Sequence, residues 1–219
     1  VIIAYNPCDW RLEGCVVTGG RGEGQGGGGI DVQQGRVVLQ RCRISQNAGL
    51  QGGGVRVAGA ALVDASDCLF VDNSAEGIGG GAAFANRGGT LVLRRCTFTG
   101  NRGKHGSALL AGRGGFGGRI NATNCLFAKE QVGLVVAVHG EGQLTLRHSV
   151  IAKLAEMVSE GVVVGDGVVE REVPLRLEAP RYGPLFTAQL RGLGTSDEDS
   201  IDTDLYKRER GSVLVGAVA

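Results

Sequence analysis

Six stretches of the chain can be laid over one another on a single small residue. They read WRLEGCVVTGG, VVLQRCRISQN, VDASDCLFVDN, LVLRRCTFTGN, INATNCLFAKE and LTLRHSVIAK. Their anchors are Cys15, Cys42, Cys68, Cys96, Cys125 and Ser149, separated by 27, 26, 28, 29 and 24 residues. A recurrence at this period describes a supersecondary unit that cannot bury its own apolar face and must stack on its copies. That requirement constrains the fold more than any property of composition.

Within each copy, apolar and polar residues alternate, as in Leu91 and Leu93 followed by Cys96 and Phe98. Period-two alternation makes half-buried strands rather than helices. A glycine cluster follows most anchors by 11 or 12 residues: Gly26 to Gly29, Gly52 to Gly54 and Gly79 to Gly81, decaying to Gly106 and Gly133. Glycine here marks sharp turns and close passage of the next copy. Three short strands per rung of about 26 residues give an all-β solenoid, a parallel β-helix whose rungs stack at about 4.8 Å. A leucine-rich horseshoe needs a leucine signature that is absent, and a propeller blade needs a longer repeat.

Stacking predicts columns of equivalent side chains. Val17, Ile44, Phe70, Phe98, Phe127 and Ile151 form one inward column, and the six anchors form another. Asn47, Asn73 and Asn101 form a third, at a bend where asparagine is expected to take left-handed geometry and bond from rung to rung. The anchor column is expected to hold buried, reduced thiols acting as small apolar groups, since parallel side chains are poorly aimed for disulfides and no C-x₂-C zinc spacing occurs. Ser149 in the same slot agrees with a demand for small size. Cys8 lies off this column.

The chain's 42% hydrophobic and 21% charged residues exclude disorder, and no apolar run reaches the ~20 residues of a membrane span. A formal charge of +1 gives no general attraction for nucleic acid. Strand-like and turn-like residues begin at once, so the stretch is expected to start inside a larger protein. Residues 1–154 are assigned to the rungs, and 155–219 to irregular last rungs and a C-terminal cap of the same domain. The cap would hide the solenoid's end.

FVDN at 70–73, FTGN at 98–101 and GGGAAF at 79–84 resemble the FxxN and GGA(I/L) motifs of chlamydial polymorphic membrane proteins. The tail, with GPLF at 183–186 and DTDLYKRERGSVLVGAV from Asp202, resembles the closing segment of bacterial surface β-helices. The chain is thereby identified as similar to the right-handed parallel β-helices of the pectin-lyase-like superfamily. The resemblance implies a right-handed helix and an extracellular or bacterial cell-surface location. Activity stays open, because this fold carries lyases, hydrolases, epimerases, adhesins and passive stalks.

In carbohydrate-active members the resemblance places catalytic carboxylates or bases outside the glycine-led strand. The alternation there puts Ile30, Val32, Val55, Val57, Ala82, Phe84, Ala108 and Leu110 inward. It puts Asp31, Arg56, Ala83, Leu109 and Ala137 outward. One aspartate, one arginine and apolar residues supply neither a carboxyl pair nor a base beside charge-neutralising groups, so no catalytic residue is assigned. The glycine clusters feed strands rather than helix N-termini and are not phosphate loops. No cofactor is expected. His105, His139 and His148 are expected at separate places on the rung, and no metal site is assigned. Asn121-Ala-Thr123 is a glycosylation sequon with Asn121 outward. Asp197, Glu198, Asp199, Asp202 and Asp204 match no calcium loop closely.

Two binding features remain. The longest connection, residues 111–119, sets Phe116 between Arg113 and Arg119, an aromatic and two cations suited to a sugar ring and its carboxylate or sulfate. The alternative there is a flexible glycine loop with Phe116 folded onto the surface. Arg41, Arg94, Arg95, Arg147 and His148 recur near one bend as a basic stripe for acidic glycans, or as a solvated face interrupted by Asp67 and Asn124. The expected function is a non-catalytic rigid stalk, adhesin-like or structural assembly module with a glycan or protein partner. The contrasting expectation is a polysaccharide lyase, glycoside hydrolase or uronate epimerase with its site on missing N-terminal rungs or loop insertions.

Overall fold

A computed structural model describes residues 1–24, 26–128, 134–173, 175–178 and 181–184. Its strands stack in parallel ladders, as the recurrence requires. The first ladder, led in by the glycine clusters, runs through Ile2–Ala4, the start of Ile30–Gln40, the start of Val55–Ser66, Ala83–Ala85, Leu109–Ala111 and Val136–Val138. The second contains Asp9–Glu13, the later parts of the same two long strands, Thr90–Arg94, Arg119–Thr123, Gln143–Arg147 and Val163–Val164. The third is a seven-stranded sheet from Val16–Thr18 to Val169–Glu170.

Two features go beyond three strands per rung. Ile30–Gln40 and Val55–Ser66 run from the first ladder into the second without a break, apart from a register shift between Val32 and Gln34. Ala48–Gly49, Ser74–Ala75 and Arg102–Gly103 form a short fourth ladder after the asparagine bend. The rungs also continue past residue 154. A four-residue helix, Leu154–Met157, precedes Val163–Val164 and Val169–Glu170, which extend the second and third ladders. Leu175–Glu178 and Arg181–Pro184 pair antiparallel. The acidic run at 197–204 lies outside the described residues.

The interior is a continuous apolar column. Phe70, Phe98 and Phe127 stack with ring centroids 4.8 and 4.9 Å apart and planes within 13°. The side chains thus repeat at the strand spacing itself. The asparagine column is fully bonded: Asn47 Nδ2 donates to Asn73 Oδ1 and Asn73 Nδ2 to Asn101 Oδ1, both at 3.0 Å. The left-handed residue at that bend is not the asparagine, however. It is the residue before it, Gln46, Asp72 or Gly100, and Gly19 takes the same geometry before Gly20 on the first rung. The asparagine stays free to aim its amide along the stack. A second left-handed residue directly precedes each anchor: Gly14, Arg41, Asp67, Arg95, Asn124 and His148. Non-glycine residues there cost about 1–2 kcal/mol each, which the ladders on either side must offset.

The glycine clusters sit where rungs nearly touch. A Cβ on Gly53 would lie 2.4 Å from the Gly81 carbonyl oxygen and 2.5 Å from the Ser74 nitrogen.

Candidate functional site

The outer face of the first ladder differs by one residue from the sequence expectation. Val55 pairs with Ala83 and Ala83 with Leu109, so Ala83 and Leu109 point inward. Phe84 and Leu110 occupy the outward column between Arg56 and Ala137. The sequence alignment matched Gly79–Gly81 to Gly52–Gly54, an offset of 27, whereas the strands pair at 28. In a strand, a slip of one residue exchanges the faces. The corrected column is Asp31, Arg56, Phe84, Leu110 and Ala137, and it is covered. Phe84, Leu110 and Ala137 form an apolar cluster with Ile78, and each is buried.

At the other end of that column, Arg56 Nη1 meets Asp31 Oδ1 at 2.8 Å, with the side chains 4% and 1% exposed. Gln33 Nε2 lies 3.4 Å from the other Asp31 oxygen. The column's carboxylate is therefore held by a buried cation and shielded from water. No second acid stands beside it in the column.

An open groove of about 260 Å³ lies instead where the loops joining the first and second ladders emerge. It is lined by Gly88, Thr90, Gly117, Gly118, Arg119, Glu141 and Gln143. Ladder pairing brings three of these together: Thr90 faces Arg119 and Arg119 faces Gln143 on successive rungs. Arg119 Nε donates to Gln143 Oε1 at 3.1 Å. Arg119, Glu141 and Gln143 are solvent-exposed.

The loop above the groove is fixed on both sides. Arg113 and Phe116 exchange backbone hydrogen bonds of 2.9 and 3.0 Å, making a tight hairpin. Gly88 N–H donates to the Gly117 carbonyl at 2.7 Å, and Gly114 N–H to His139 Nδ1 at 3.2 Å. Phe116 remains 54% exposed, and the cation over its ring is Arg87, 5.1 Å from the centroid, rather than Arg113 or Arg119. His139 also meets His105 edge-on, with ring centroids 5.9 Å apart, so two of the histidines do converge; His148 stands apart, half-buried beside the anchor column. Burial, reinforced by His139 and Lys104, holds the His105 imidazole below its ordinary value of 6.5.

The structure does not gather the basic stripe into a site. Arg94 pairs with Asp64 at 2.6 Å, and Arg41 pairs with Glu13. Arg95 is buried against Asp67, with Nε 3.1 Å from Oδ1, so the aspartate that interrupts the stripe neutralises it. Arg147 is exposed at the rim of the second ladder. None of these lines the groove. Sequence reasoning reached Phe116 and Arg119 but missed Arg87, Thr90, Glu141 and Gln143. A signal for two of these was present: Thr90, Arg119 and Gln143 each stand six residues before an anchor.

The anchor thiols are all free, and they are more than small apolar groups. Each sulfur from Cys42 onward lies near the carbonyl two residues earlier, as Cys68 Sγ does at 3.2 Å from Ser66 O. Cys42 N–H in turn donates to Cys68 Sγ at 3.4 Å. Hydrogen bonding from the Cys68 thiol lowers Cys42 to about 7, against its desolvation, while burial pushes Cys68 and Cys125 up.

Among the described residues no helix is long and apolar enough to cross a membrane. No curated protein and no solved structure gives a significant match to the chain. The family model described as the right handed beta helix region matches residues 1–156, the stretch that carries all six anchors and both walls of the groove. With parallel ladders, stacked anchors and this match in agreement, the chain belongs to the right-handed β-helix family.

Proposed function

We propose that the chain is a non-catalytic β-helix module of a surface or secreted protein that binds acidic glycan in the groove beside the loop that carries Phe116. The observation that carries this reading is the groove itself. Arg119, Gln143 and Thr90 line up on successive rungs, about 4.8 Å apart, under a hairpin fixed to its neighbours. Arg119 offers a planar fork to a carboxylate or sulfate, Gln143 and Thr90 offer hydrogen bonds to hydroxyls, and the exposed part of Phe116 offers an apolar surface to a sugar ring. Fixing the loop before binding lowers the ordering cost of association. The covered Asp31–Arg56 column supports the absence of acid–base chemistry on the first ladder, because its one carboxylate is buried against Arg56 and out of a substrate's reach.

The reading is tested with a panel of uronate-containing, sulfated and neutral oligosaccharides, followed by titration calorimetry. Acidic members should bind, weaken as salt is raised, and lose roughly tenfold or more in affinity on Arg119→Ala or Phe116→Ala. Binding unchanged in both variants, or no binding across the panel, would overturn it. Shortened or unsaturated products would instead support the lyase or hydrolase reading, with Glu141 beside Arg119 as the acid–base candidate.

A further inference from the structure

The anchor column carries a second inference, independent of the groove. Equivalent backbone bonds, Arg43 N to Cys15 O, Leu69 N to Cys42 O, Thr97 N to Cys68 O and Leu126 N to Cys96 O, all measure 2.9 Å, so the register is constant at each thiol step. Two residues beyond the anchors, the stacked Phe rings show that side chains keep the rung spacing, at 4.8 and 4.9 Å. One rung lies within the Cα range of a disulfide, about 4.4–6.8 Å, but side chains pointing inward in parallel are poorly aimed to form one. Two thiolate bonds in line, each no longer than the about 2.3 Å of tetrahedral zinc sites, span somewhat less than one rung. Small side-chain rotations would therefore let two stacked sulfurs hold one cation in line along the solenoid axis.

The donor set selects the kind of cation. A pair of thiols with no third ligand suits neither tetrahedral zinc nor oxygen-seeking calcium and magnesium. Among the described residues there is no group of three or more His, Cys, Asp or Glu that could hold a metal. Soft thiolates favour Cu(I). Cys42, Cys68, Cys96 and Cys125 are buried, whereas Cys15 is half-buried and gives the column its opening to solvent.

We propose that Cys15 and Cys42 form a two-coordinate site for Cu(I), bound in line between the two sulfurs. Binding replaces two S–H bonds with two S–Cu bonds and releases two protons. The copper stays monovalent, and the bis-thiolate complex carries one negative charge.

The test is anaerobic titration of the reduced chain with Cu(I) against a competing chelator, followed by X-ray absorption at the copper edge. One equivalent should bind with two sulfur neighbours, at a distance shorter than the about 2.3 Å of tetrahedral zinc thiolates. Cys15→Ser and Cys42→Ser should each abolish that site, whereas Cys8→Ser should keep it. Serine already fills this slot at position 149, bonded to Arg147 O at 2.8 Å, so the variants retain a partner for the side chain. Circular dichroism matching the parent checks their fold, and Cys15→Ala with Cys42→Ala gives a second pair should serine perturb it. Absence of tight binding, retention in the Cys15 or Cys42 variants, loss in Cys8→Ser, or a Cys15–Cys42 disulfide in place of the metal would each overturn the proposal.

Discussion

Ser149 and Cys68 occupy one column and do the same work with different atoms. Cys125 N–H donates to Ser149 Oγ at 3.1 Å as Cys42 N–H donates to Cys68 Sγ at 3.4 Å. Each side chain is also bonded to the carbonyl two residues earlier. The slot selects a small group that both gives and takes a hydrogen bond, a requirement that size alone does not reveal. His105 shows a different residue-level effect. Burial first, then His139 and Lys104, disfavour its protonated form in the folded chain. The unfolded chain therefore takes up the proton more readily, and stability rises with pH across the window just below 6.5. This contribution is complete above that window and is lost as the solution is acidified through it. Urea unfolding at pH 7.5 and pH 5.5 should show a smaller acid loss for His105→Gln than for the parent. Equal losses would remove His105 as the source.

At the scale of the element, what was legible depended on which residues set the register. The anchors gave the third-ladder strands and the phenylalanine column correctly, because a buried inward slot tolerates few residue types. The glycine triplets misled. Backbone crowding demands glycine at Gly53 and Gly81, which pair at an offset of 28, but the flanking glycines are shared unevenly between rungs. The resulting slip turned Phe84 and Leu110 inward on paper, and the alternation alone could not expose it because both faces of that strand are apolar. The groove was half legible for a related reason: Gly117 to Arg119 share one loop, whereas Thr90 and Glu141 arrive from rungs on either side. Crowding gives a direct contrast. Gly53→Ala should destabilise by about 3 kcal/mol, since its Cβ meets backbone that cannot move aside. Gly115→Ala, with no atom within 4 Å of its Cβ, should stay within about 0.5 kcal/mol. Urea midpoints of the two variants check both values, and similar midpoints would mean that the rungs can separate locally.

For the molecule as a whole, the main bonds between rungs point in a common direction. Backbone ladders, the asparagine amides and the Cys42–Cys68 and Cys125–Ser149 contacts all join one rung to the next along the axis. Few contacts skip a rung, so each repeat is held by its neighbours. The asparagine column has a mechanical consequence. A load applied between the two ends of the solenoid pulls on these bonds one rung at a time instead of shearing them together. Each rung of 24 to 29 residues, drawn out at about 3.4 Å per residue, releases about 80 to 100 Å of chain. Force–extension traces of a tethered chain should therefore climb in a train of steps near that length. A single rupture would show that the stack yields as one body. A stepwise yield would make this chain a shock absorber, lengthening under tension while the rungs still stacked keep their grip.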